Sequence, residues 1–575
     1  MSMESAAVRI AAALRRNGVE VVFAQSLPTA VILACEKIGI RQITYRQENM
    51  GGAMADGYSR VSGRVGVVCA QNGPAAALLV PPLSEAFKAS IPVVALVQEV
   101  ERHHVDRNAF QELDHIALFS ACSKWTRRVI TADRIEDYVD SAFIAAASGR
   151  PGPAVLLLPA DLVRENVATG RRSRTGNYGT WPLDPIRPSE EAVALVAKLI
   201  ARAESPVVLA GGGAASPAAS RALSELQSTA HLPVFTTNMG KGAVDERAPL
   251  ACGVLGALNG PRSLGYRTRV IMEEADLVFL VGTRTNQNGT DSWRSIRSTA
   301  MVVHLDIDPC EIGRNYESVR LVGDIATTVQ ALTAALRAED LSIRSAKKAS
   351  LVLRIAEAWE QFEQDRSVFS GSNRTPLRPE RVMRDLQSRM TPETIVVADA
   401  SYSSMWIVGQ LRALRSGQRF ITPRGLAGLG WGLPLGIGAK LARPNSPVVV
   451  LVGDGGFAHS WAELETLVRC QINLTVIVLN NGVLGYQKDA ETVKFGRYTT
   501  ACHFAPVDHG ALARACGCEE VTVKNPDDIR PALDRALSSK APVLVEVISD
   551  PDAHPPISLY TGTLGPRTLE ASEWA

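Results

Sequence analysis

The chain has 575 residues, a formal net charge of +2, and 46% hydrophobic and 21% charged residues. That length implies about three to four domains, the balance is that of a soluble globular protein with an ample core, and a charge so near zero excludes electrostatic capture of nucleic acid or of a strongly acidic partner. Nine scattered cysteines, of which only Cys516 and Cys518 lie close together, point to reduced thiols in a cytoplasmic protein rather than to disulfides or zinc, and no apolar run is long enough to span a bilayer.

The chain opens on an amphipathic helix over 4–17, with Ala7, Ile10 and Leu14 on one face and Gly18 as its stop. It lacks the apolar core of a signal peptide. Residues 1–170 then alternate: strands are expected at 20–23, 42–45, 65–69, 93–97 and 154–158, and helices at 29–38, 47–60 and 74–88. Such alternation implies a parallel sheet covered on both faces. After a polar linker, a second α/β block spans 190–340, with strands at 206–210, 234–237, 277–281 and 302–306. Its triplet Gly211-Gly212-Gly213 is either a weak nucleotide signal or a tight turn between strand and helix. A charged helical segment at 345–366 and a second linker lead to a third block, 375–550, with strands at 395–398, 448–452, 475–479 and 543–548. The fold class is therefore α/β, with three doubly wound parallel-sheet domains. A Pro-rich tail, 551–575, is expected to be disordered or to lie over a site as a lid.

Two strand ends in the third block carry the chemistry. The apolar run Val448–Val452 ends in Gly453-Asp454-Gly455-Gly456, and the strand at 475–479 delivers Asn480-Asn481. Open α/β sheets bind ligands at such carboxyl ends. A carboxylate and a carboxamide are hard oxygen ligands that suit Mg²⁺ or Ca²⁺. Mg²⁺ usually shares phosphate oxygens, and a Gly-rich turn offers them backbone N–H groups, so a metal–diphosphate is the expected ligand. An ordinary strand–turn–helix with two polar loop residues reads the same motif without a ligand.

The spacing between the two, GDG followed by twenty-four residues and then NN, resembles the thiamine diphosphate (ThDP) signature of the pyruvate-oxidase and acetolactate-synthase group. The resemblance implies that Asp454, Asn481 and the carbonyl of Val483 hold Mg²⁺, with Gly453, Gly455, Gly456, Leu484 and Gly485 around the diphosphate. It names the blocks as pyrimidine-binding, central and diphosphate-binding domains. The segment YRQENMGGAMADGYSR resembles the acetolactate-synthase pattern in which a Glu at a helix start bonds the pyrimidine nitrogen; here it is Glu48, which otherwise complements the helix macrodipole. Pro74 would contact the pyrimidine, with Ala75 where a second Gly is usual. In RGLAGLGWGLP, Leu429 would press between the cofactor rings and the Gly428 carbonyl would accept from the 4′-amino group; core packing also explains Leu429. Asp399 to Ser403 matches a diphosphate-contacting stretch, with Ser401 in place of Gly, then Tyr402, and Ser403 in place of His.

The resemblance covers about 1–550 and is strongest to acetolactate-synthase catalytic subunits. NAFQELD (108–114) places Phe110 and Gln111 near the substrate pocket, and His103, His104 and Lys124 lie close by in sequence. The implied reaction decarboxylates a 2-keto acid such as pyruvate and transfers the acyl carbanion to a second carbonyl. Where the family carries an acceptor-pocket Trp, this chain has Ala490. Glu491 beside it is either a proton carrier or a solvated helix carboxylate. The alternative is a ThDP lyase or decarboxylase acting on a 2-hydroxyacyl-CoA or an aromatic 2-keto acid. Gly282, Arg284 and Asp306 fit the FAD-binding subset, but Asn286 and Asn288 replace its acidic and second Arg positions, so the central block is left with FAD, an ADP-containing group or nothing. The family lends the Glu-bearing block of one subunit to the GDG block of another, which implies a homodimer or homotetramer acting on small acyl substrates, with neither nucleic acid nor membrane as partner.

Overall fold

The computed structural model describes residues 3–168 and 174–558. Three six-stranded sheets follow one another along the chain. The recorded pairings within each are parallel. Counting strands by their order within a domain, the first sheet runs 2-1-3-4-6-5, the central sheet 3-2-1-4-5-6, and the third repeats the order of the first. Central strands such as Val448–Gly453 and Val93–Glu99 are buried almost end to end, because helices cover both faces of a parallel sheet. A small antiparallel pair, Met3–Ser5 with Asn166–Ala168, closes the first domain.

The expected central strands form within one or two residues of their places. The expected helix at 74–88 is instead two, Pro74–Leu78 and Val80–Ala89. Pro81 and Pro82 have no N–H to give to the preceding turn, so the helix breaks ahead of them. The charged segment at 345–366 is the middle of a longer helix, Ser342–Ser370. That helix links two domains: Trp359 donates to the Ala251 carbonyl at 3.1 Å, and Arg366 to the Gln410 carbonyl at 2.8 Å. Among the described residues no helix is long and apolar enough to cross a membrane. The tail from 559 onward lies outside the described residues.

The first and third domains meet along two equivalent helices, Glu48–Ser62 and Gly432–Ala442, each of which follows the second strand of its domain. They run antiparallel at van der Waals distance. A Cβ on Gly57 would stand 2.2 Å from the Leu435 carbonyl oxygen, and one on Gly438 would stand 2.0 Å from that of Met54. Charges flank the seam. Arg60 pairs with Asp56 and Glu85 and donates to the Thr422 carbonyl at 3.1 Å, while Glu85 accepts the Gly425 N–H at 2.7 Å. At the other end Glu463 accepts the Arg46 N–H at 2.8 Å, two residues before Glu48.

Candidate active site

The third sheet changes direction between its strands Ile395–Ala398 and Val448–Gly453, and a cleft opens at their carboxyl ends. Asp454 starts a short helical turn there. It is buried, its Oδ2 accepts the Gly482 N–H at 2.8 Å, and burial raises its carboxyl above the ordinary range. The two asparagines divide their work. Asn480 turns inward and donates to Glu546 at 2.8 Å, while Asn481 stays on the cleft with its Oδ1 accepting the Val483 N–H at 3.2 Å. Burial would raise Glu546, yet His509, 2.8 Å away, and Asn480 hold it at about 2.

Most of the residues expected around the diphosphate line this one cleft. Gly453, Gly455 and Gly456 form one wall with Asp454; Asn481, Val483, Leu484 and Gly485 form the second; Ser401, Tyr402, Ser403 and Leu429 complete it. Gly456 has no room for a side chain, since a Cβ there would stand 2.0 Å from an Asp399 carboxylate oxygen. Ser401 keeps φ +63° and ψ −145°, a conformation that glycine adopts without strain. Tyr402 donates to Asp489 at 2.6 Å. Gly428 lies one residue before Leu429, against the Trp431 ring.

Sequence reasoning grouped Asp399 with the diphosphate-contacting stretch, but its carboxylate is fully engaged elsewhere. It accepts the N–H groups of Ala400 (2.9 Å), Gly430 (2.9 and 3.0 Å), Trp431 (3.1 Å) and Gly432 (3.3 Å). Asp399 thus caps the helix that follows Leu429 and fixes the apolar residue against the Gly-rich turn.

The other expected residues form a second face, at the carboxyl ends of the first sheet. Glu48 is half-buried at its helix start, and Pro74 is exposed after Gly73, whose φ is +63°. Gln111, itself at φ +62°, is tied to this turn because Asn72 donates to its carbonyl at 3.0 Å. Phe110 beside it is 85% exposed. None of these residues lines the diphosphate cleft. The antiparallel helix pair carries Glu48 and Leu429 to opposite ends, roughly 20 Å apart at 1.5 Å per helical residue. Within one chain these residues therefore stay apart from the cleft.

Glu491 accepts from Gln487 (2.8 Å) and the Thr499 N–H (2.7 Å), and these bonds hold its carboxyl below the ordinary range. His103 and His104 are exposed and flank Glu101. Lys124 does not belong to the site. It precedes the strand Trp125–Arg128, at the opposite end of the sheet, and bonds the Ala145 and Ser148 carbonyls at 2.6 and 2.9 Å, with burial lowering its ammonium to about 8. In the central domain the glycine triplet makes the tight turn: a Cβ on Gly211 would stand 2.3 Å from the Gly282 carbonyl oxygen. Arg284 is half-buried beyond it, and burial raises Asp306 to about 6. The described part of the Pro-rich segment, 551–558, packs against the third domain. Lys488 bonds the Pro551 carbonyl (2.8 Å) and Asp552 (3.0 Å), and Ala553 lines the cleft.

Three family descriptions match in series: Thiamine pyrophosphate enzyme, N-terminal TPP binding domain (5–118), central domain (193–332) and C-terminal TPP binding domain (399–547). The chain is 30% identical over 554 residues to the probable acetolactate synthase large subunit of Methanocaldococcus jannaschii, covering 94% of this chain and 91% of that one. It is 30% identical over 548 residues to acetolactate synthase isozyme 2 large subunit of Escherichia coli, covering 94% of each. It is 31% identical over 576 residues to the acetolactate synthase of Arthrospira platensis, covering 95% and 94%. Three parallel-sheet domains, a glycine-walled cleft with oxygen ligands at its mouth, and full-length relatives agree: the chain belongs to the thiamine pyrophosphate enzyme family, among proteins named acetolactate synthase.

Proposed function

We propose that the protein is a carboligase of acetolactate-synthase type, which decarboxylates a 2-keto acid and joins the acyl fragment to a second carbonyl compound. The observation that carries this is the single cleft in which Asp454, Asn481 and the Gly453–Gly456 turn converge. The donor set fits Mg²⁺ and a diphosphate, because it offers hard oxygens beside a glycine-rich turn with backbone N–H groups. Asp454, Asn481 and the Val483 carbonyl would hold the metal; the backbone of 453–456, with Ser401 to Ser403, Leu484 and Gly485, would hold the diphosphate. When bound, thiamine diphosphate supplies the electron sink that 2-keto acid decarboxylation requires.

The remaining roles fall to this chain's own groups. Leu429 would press against the bound cofactor, and the Gly428 carbonyl would accept from its amino group. Glu48 holds a proton at the pyrimidine nitrogen, Pro74 packs on that ring, and Gln111 faces the substrate. Because Glu48 stands far from the cleft of its own chain, a second copy supplies it, so the working unit is at least a homodimer. Glu491 is the carboxylate proposed to move a proton on the acceptor side; the bonds from Gln487 and Thr499 that keep it ionised also weaken it as a base. Ala490, half-buried on the helix Gly485–Phe495, favours as the second reading a lyase or decarboxylase for a larger acyl substrate. The test is incubation with ThDP, Mg²⁺ and a panel of 2-keto acids and aldehydes, read by mass spectrometry. Acetolactate or a homologous 2-hydroxy-3-keto acid supports the first reading, release of formyl-CoA from a 2-hydroxyacyl-CoA the second, and no ThDP-dependent product refutes both.

A further inference from the structure

We propose that His115 is a positioning residue that fixes Pro74 and Gln111 together, through the Gly73 N–H on one side and Glu99 with Arg128 on the other. The proposal rests on the ThDP reading above and adds to it three residues that the motifs do not mark.

His115 is 1% exposed, and its Nε2 lies 3.0 Å from the Gly73 nitrogen. A backbone N–H can only donate, so Nε2 bears the lone pair and the imidazole proton sits on Nδ1. Nδ1 faces Glu99 Oε1 at 3.3 Å, and the same oxygen accepts from Arg128 at 2.9 Å. Burial would raise the Glu99 carboxyl, but the His115 and Arg128 bonds together keep it below the ordinary range. An ionised carboxylate on Nδ1–H selects the tautomer that leaves Nε2 free to accept. The relay therefore has a direction, ending on the backbone group immediately before Pro74.

That end point controls two turns at once. A Cβ on Gly73 would stand 2.7 Å from Gln111 Cβ and 2.9 Å from its carbonyl oxygen, so the turns touch with nothing between them. Asn72 adds its bond to the Gln111 carbonyl. Gln111 holds a left-handed backbone, and its buried Oε1 has no partner among the described residues. An acceptor kept unsatisfied on a strained residue is the arrangement of a group waiting for a ligand donor. Without His115 the pair of turns loses the one buried side-chain anchor that Gly73 has among the described residues.

The test compares His115→Leu and His115→Gln in the full-length protein with ThDP and Mg²⁺. Leu deletes the acceptor, whereas the Gln amide oxygen reaches a similar distance and restores it. We expect His115→Leu to lose about tenfold or more in kcat/KM and to need several-fold more ThDP for half-saturation, and His115→Gln to recover most of both. Wild-type constants in His115→Leu, or equal losses in Leu and Gln, overturn the proposal. Should His115→Leu not fold, Glu99→Gln takes its place: raised half-saturation for ThDP with the fold intact supports the relay, and unchanged half-saturation overturns it. A wild-type protein that does not bind ThDP refutes the parent reading, and the proposal with it, before any variant is compared.

Discussion

Asp399→Ala separates a structural pin from a ligand contact. The carboxylate is 1% exposed and accepts four backbone N–H groups, three of them from the turn 430–432. A buried donor left without a partner costs about 1–3 kcal/mol. Three such donors give about 3–9 kcal/mol, and the long 3.3 Å bond from Gly432, together with water entering the space left, puts the loss near the bottom of that span, about 3–5 kcal/mol. Asp399→Asn keeps Oδ1, which alone serves Ala400, Trp431 and Gly432 and shares Gly430, so its loss should be about 1–2 kcal/mol. The assay is urea unfolding of the protein without cofactor, paired with a tryptophan-fluorescence titration by ThDP and Mg²⁺. Alanine should lower both stability and ThDP affinity, because Leu429 loses its support, and asparagine should keep most of each. Unchanged stability in Asp399→Ala refutes the reasoning. Lost ThDP affinity without lost stability would make Asp399 a diphosphate contact instead.

Other predictions address separate parts of the molecule. Glu48→Gln should reduce turnover by roughly 100-fold or more while ThDP–Mg²⁺ binding stays within a few-fold; steady-state rates and the fluorescence titration check both, and full activity would reject the role of Glu48. Burial lowers the His304 imidazole from 6.5 to about 4, and its Nε2 donates to the Thr283 carbonyl at 2.9 Å. The unfolded chain then takes this proton first, so the stabilisation is complete above pH 6.5 and is lost as pH falls towards 4, on the order of 3 kcal/mol. A His304→Gln variant should show a flatter pH dependence of its urea midpoint across that window. Gly438→Ala places a methyl against the Met54 carbonyl, where no flexible side chain can yield, and should cost about 3 kcal/mol or more; a thermal midpoint equal to wild type would show that the helix pair has slack.

Legibility in the sequence followed a strand's place in its sheet. Every central strand was readable because both faces are covered and the residues are uniformly apolar. Trp125–Arg128, Ala251–Val254, Val319–Val322, Phe420–Ile421 and Glu519–Val523 were not, and all five are sheet edges, short or interrupted by charge. The site divides similarly. Asp454, Asn481 and Leu429 sit in motifs with a recognisable spacing. Motifs do not reveal what holds them, because Asp399 and His115 act through backbone N–H groups that any sequence possesses. The separation of Glu48 from the cleft was implied only by the family likeness; its physical cause is the helix pair, whose direction no local pattern encodes.

That helix pair carries a wider consequence. The outer domains have one strand order, and the helix after the second strand of each forms their common seam. A single architecture is thus used twice: in the proposed reading the carboxyl-end face of one domain meets an aromatic base and that of the other an anion. Two versions of the same design would then read the two unlike ends of one cofactor. Any perturbation that tilts the seam acts on both faces, and in the proposed dimer it would reach the neighbouring chain through Glu48, so distant changes converge on this glycine-lined seam sooner than on either face itself.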